Sequence, residues 1–139
     1  MSNAEKAQKF FDQYEGESID YDGAFGAQSP DLALNYIEHM TGDPELAKSL
    51  IGKGNAIDMA DPIRFAPLKE YADLHTVGLP EVGDLVVIRS EVPYGSVGVL
   101  SGDVMRRGKY TLFTQNPGPA GHRKFTTHSN PIVGWWRFR

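Results

Sequence analysis

Ile19-Asp20-Tyr21-Asp22-Gly23-Ala24-Phe25-Gly26-Ala27-Gln28-Ser29-Pro30-Asp31-Leu32 passes from an acidic, glycine-rich loop straight into a helix start. Serine is a favoured N-cap, proline suits the first helical position, and an aspartate in the first turn complements the helix dipole. Ser29-Pro30-Asp31 therefore predicts a helix capped by Ser29, with Leu32, Leu34, Tyr36, Ile37 and Met40 on its apolar side and Gly42 closing it. Upstream, Ala7, Phe10, Phe11 and Tyr14 recur at helical spacing from Ala4 to Tyr14, and Gly16 ends that run. Downstream comes a short helix over Pro44–Ile51, then a Gly/Pro-punctuated connector to about Pro80. The last third changes period. Asp84–Arg89, Ser96–Leu100, Tyr110–Thr114 and Ile132–Phe138 read as strands, with turns at Ser101-Gly102-Asp103 and Arg107-Gly108. Helices first and antiparallel strands afterwards imply an α+β domain in which N-terminal helices pack on an antiparallel sheet.

The chain has 139 residues, 40% apolar and 23% charged, which suits one soluble domain spanning 1–139 with its own core. Cysteine is absent, so disulfides, thiolate metal sites and thiol catalysis are all excluded. A net charge of −4 argues against nucleic acid as a partner, and Arg106-Arg107-Gly108-Lys109 reads as a solvated turn. No apolar run approaches the roughly 20 residues of a membrane span, so no membrane partner is expected. The first residues open directly into an amphipathic helix, unlike a secretory signal peptide.

The acidic loop offers oxygen donors at positions 1, 3, 5, 7 and 12 of a twelve-residue stretch: Asp20, Asp22, Ala24, Gly26 and Asp31. An EF-hand loop wraps calcium with this spacing, and Ala24 and Gly26 would supply backbone carbonyls. Two positions depart from that pattern. Phe25 stands where glycine is usual, and Asp31 stands where the longer glutamate is usual. The competing reading is a solvated acidic loop in which Asp31 only supports the helix start.

Taken together, these residues resemble the CHAP domains (cysteine, histidine-dependent amidohydrolase/peptidase) of bacteriophage lysins, with their Asp-x-Asp-Gly loop followed by Gln-Cys-x-Asp-Leu. The likeness continues through Gly54-Asn55-Ala56, Gly78-Leu79-Pro80, Gly83-Asp84-Leu85-Val86-Val87, Tyr94-Gly95-Ser96-Val97-Gly98-Val99, Gln115-Asn116 and Gly134-Trp135-Trp136-Arg137. The resemblance implies a papain-like α+β fold and a site that cuts peptidoglycan amide bonds. It also implies that Asp20, Asp22 and Asp31 fall where calcium-binding members hold their ion.

Carried over by position, the chemistry is missing. Ser29 stands at the nucleophilic cysteine, Ser96 at the histidine and Thr114 at the orienting acid. Asn116 and Gln28 match, the latter an oxyanion donor in the family. A helix dipole can help ionise a thiol, whereas a serine hydroxyl needs a positioned base. His39 lies ten residues along the helix from Ser29, roughly 15 Å by helical rise, and His75, His122 and His128 sit in loop-like segments. The reading that follows is a catalytically inactive, phage-encoded domain that binds peptidoglycan or other virion proteins. It would reside in the virion, or in the host cytoplasm before release, and act at the bacterial wall. The alternatives are a peptidoglycan hydrolase using Ser29 and an inhibitor that mimics a lysin. Trp135, Trp136 and Phe138, alternating with Arg137 and Arg139, are expected to pack the sheet on one face and to offer an aromatic, basic surface on the other.

Overall fold

The computed structural model describes residues 1–23, 26–116 and 118–139, with the backbone alone at 103–106. Helix α1 (Asn3–Tyr14) opens on a capping box: the Glu5 N–H donates to Ser2 Oγ at 3.1 Å, and the Ser2 N–H donates to Glu5 Oε1 at 3.2 Å. Its buried Phe10 meets Tyr36 of α2 (Ser29–Thr41) edge-on, with ring centroids 5.0 Å apart. Gly42 stops α2 in the left-handed conformation, φ 67°, that a side chain would disfavour. The short α3 (Pro44–Ser49) is capped by Asp43, and two 3₁₀ turns follow at Ala56–Ala60 and Ala66–Glu70. No helix among the described residues is long and apolar enough to cross a membrane.

Six strands build one sheet in the order β1-β6-β2-β3-β4-β5, every pair antiparallel. They are β1 (Ala72–His75), β2 (Leu85–Ile88), β3 (Ser96–Arg106), β4 (Lys109–Thr114), β5 (Gly121–Thr126) and β6 (Ile132–Phe138). The α+β arrangement of helices on an antiparallel sheet is the one expected. Leu85, Val87, Val97, Val99, Phe113 and Trp136 pack toward the helices. Val86, Ile88, Leu100, Tyr110, Leu112 and Trp135 form a second cluster. Burial on both faces explains why β2 reads as a continuous apolar run rather than an alternating one.

Three expectations need correction. Strands β1 and β5 were not legible as strands because they are the two edges of the sheet. Edge strands carry polar side chains that discourage further pairing, and Gly121-His122-Arg123-Lys124-Phe125-Thr126 shows no apolar alternation. The Ser101-Gly102-Asp103 turn does not form. Strand β3 instead runs on to Arg106 with shifted register about Gly102, and the reversal comes at Arg107-Gly108, both with positive φ. Finally, both tryptophans are buried, Trp136 donating to the Met59 carbonyl at 2.7 Å, so the tail offers no aromatic surface. Arg137 turns to the buried Asp84, with Nη2–Oδ2 at 2.7 Å.

Candidate functional site

Ser29 is the first residue of α2 rather than its cap. The cap position is Gln28, whose N–H donates to Asp31 Oδ2 at 3.0 Å, the bond that the third helical residue makes back to the cap in a capping box. This frees the Ser29 hydroxyl to face the sheet. It is buried, and its Oγ accepts the Val97 N–H of β3 at 3.3 Å. On the other side of the same residue, Thr114 Oγ1 donates to the Val97 carbonyl at 2.7 Å. Ser29 and Thr114 are thus joined through one backbone residue. The Gly98 beside it has no room for a side chain: an added Cβ would lie 2.8 Å from Thr114 Cβ.

Ser96 is peptide-bonded to Val97, so covalent geometry holds the Ser29 and Ser96 hydroxyls within about 9 Å of each other. Ser96 pairs with Ile88 and is nearly buried. A cavity of about 380 Å³ opens at the start of α2, lined by Gln28, Ser29, Asn55, Phe65, Tyr94 and Asn116 among others. Ser96 and Thr114 do not line it. Three side-chain amides on an apolar floor can pair with a peptide backbone while covering its side chains.

None of the described cavity-lining residues carries an imidazole. His39 bonds through Nε2 to the Lys6 carbonyl at 2.7 Å, and His75 stacks on Trp135. His122 bonds to Ser101 Oγ, and His128 lies beyond β5. Ser29 therefore has no base at hand among them.

The acidic loop borders the cavity. Asp20, Asp22 and Asp31 each offer an oxygen, and the three lie within 4.8 Å of one another. Oxygens this close are near the spacing that one calcium needs at roughly 2.3–2.6 Å from each, and an all-oxygen donor set is the kind calcium takes. Asp31 is held by the N–H groups of Asp22 (3.3 Å, to Oδ1) and Gln28 (3.0 Å, to Oδ2). Burial pushes its carboxyl above the usual range, with the Asp22 charge adding to the rise, while these N–H bonds oppose it. Gly23 and Gly26 take positive φ, 71° and 75°, which lets so short a loop turn back. The carbonyl expected of Ala24 lies outside the described residues.

Gln115, which the sequence marks only as a member of the Gln115-Asn116 pair, has a role here that the sequence does not assign. Gln115, wholly buried just after β4, accepts the Ile19 N–H at 3.0 Å and donates to the carbonyls of Ile19 and Gln28. Local pattern does not assign that role, because its partners lie 87 and 96 residues away.

No family model and no curated protein matches the chain. Solved structures do. The endolysin LysIME-EF1 is similar at 20% identity and a TM-score of 0.73, over 99% of this chain and 64% of that one. Ly7917 with the hydrolysing product of MDP is similar at 15% identity and 0.67, over 97% of this chain and 62% of that one. Ly7917 by itself is similar at 14% identity and 0.67, over 99% and 62%. This chain thus spans less than two thirds of the length of those proteins. Over nearly all of its own length it has their fold.

Proposed function

We propose that this chain is a lysin-like domain of the CHAP type that binds bacterial peptidoglycan, depends on calcium, and does not hydrolyse its ligand. The observation that carries the reading is the Ser29 hydroxyl, committed to the Val97 N–H beside a cavity that no described imidazole lines. Hydrolysis by serine needs a base to take its proton as the bond to the carbonyl forms. The amides of Gln28, Asn55 and Asn116 need none to bind a wall peptide, and Tyr94 at the edge can cover a sugar ring. The likeness to LysIME-EF1 and to Ly7917 with its bound product supports a wall fragment as ligand. Calcium, when bound, would offset two of the three carboxylate charges. Asp31 would then keep its two N–H bonds and hold the Ser29 end of α2 against β3.

The test is sedimentation with insoluble peptidoglycan in calcium or in chelator, alongside an assay for released soluble peptide and glycan. The protein is expected to pellet with the wall in calcium and to release nothing. Release that disappears in Ser29→Ala would overturn the reading in favour of a serine hydrolase. Failure to pellet in either condition would overturn the wall-binding part.

A further inference from the structure

Between Ile19 and Gln28 the loop holds most of the charge at the site, and neither end of it belongs to a helix or strand. What closes it is a side chain 87 residues beyond Gln28 in sequence. Gln115 has no exposed surface, and its amide accepts one N–H and donates to two carbonyls, all from the loop ends. A neutral amide is the side chain that offers an acceptor and two donors in one plane. Asp20 follows Ile19 directly, and Asp31 holds the Gln28 N–H. Gln115 therefore grips the residue next to Asp20 and the residue whose N–H Asp31 holds, with Asp22 on the loop between them.

We infer that Gln115 is a positioning residue for the ion loop: by fixing Ile19 to Gln28 it sets the spacing at which Asp20, Asp22 and Asp31 meet. The inference rests on the calcium reading above and adds to it a residue that touches no ion. Its neighbours give it a second consequence. Thr114 bonds Val97 opposite Ser29, and Asn116 lines the cavity, so the end of β4 joins the ion loop to the groove wall.

The experiment is a calorimetric calcium titration of the parent chain, Gln115→Met and Gln115→Asn, repeated with terbium luminescence sensitised by Tyr21, which lies between Asp20 and Asp22. Asp20→Asn serves as the ligand-loss control. Circular dichroism and melting in chelator report folding separately. Removing a residue that orients ligands typically weakens metal affinity about 10–100-fold, and Gln115→Met is expected in that range. Gln115→Asn keeps a neutral amide one methylene shorter and should lose less, which preserves the test if the methionine variant fails to fold. A lower melting temperature in chelator with calcium affinity unchanged in a folded variant would overturn the inference and leave the calcium reading standing. A parent chain that binds neither calcium nor terbium would overturn both, and its own titration tells the two failures apart.

Discussion

Replacing Asp22 by asparagine should make the ion-free protein more stable and the calcium-loaded protein less so. The carboxylate oxygens of Asp20, Asp22 and Asp31 approach within 4.8 Å. At that distance two unit charges repel by about 0.9 kcal/mol even in the dielectric of bulk water. Asp22→Asn removes two such pairs, a gain of about 1–2 kcal/mol at low salt, and its new amide can donate to Asp31. Unfolding entropy of roughly 2.1 cal/mol/K per residue over 139 residues converts this to a rise of about 3–7 °C in chelator. Calcium at a hundred times its Kd should stabilise the parent by about 2.7 kcal/mol, or about 9 °C by the same conversion. The variant, lacking one charged ligand, should gain less than half of that. Differential scanning calorimetry of both proteins, in chelator and in calcium, reads all four values. Equal melting of the two in chelator would refute the repulsion, and an equal calcium increment would remove Asp22 from the ligand set.

Two further outcomes follow from the site and the core. Ser29→Cys alone should release nothing from peptidoglycan, because Ser96 supplies no base and Thr114 would leave one unoriented, whereas Ser29→Cys with Ser96→His and Thr114→Glu should do better; activity in the single variant would contradict the account of the site. Tyr21 has its phenol pushed up to about 12 by burial and its bond to Glu38, and burial raises Tyr36 and Tyr110 as well. Because these folded-state values lie above the unfolded value near 10, their stabilisation is whole below pH 10 and is lost as pH rises through the folded values. Stability by denaturant titration should therefore fall between about pH 10 and 12, less steeply in Tyr21→Phe.

The sequence by itself determined the helices, the inner strands and the neighbourhood of the site, because each is written in local terms. Apolar residues at period 3.6 in α1 and α2, a dense apolar run in β2, and glycines at turns are decided by backbone sterics and by which face is buried. The acids at 20, 22 and 31 were legible as a group for the same reason: loop spacing is local. Tertiary structure decided what depends on a partner distant in sequence. Strand β5 exists because β4 pairs with it, not because its own residues alternate, and β1 is only four residues of a connector until β6 pairs with it. The exposed tryptophan face vanished because Trp135 joins residues of β2, β3 and β4 in a cluster that no single strand announces. Ser29 had every local mark of a helix cap, yet Gln28 holds the cap position and the serine turned to Val97, 68 residues away. Gln115 shows the rule most plainly. Its three bonds all cross 87 or more residues of chain, and hydrogen bonds of that separation leave no trace in local pattern, since only the folded sheet brings donor and acceptor together.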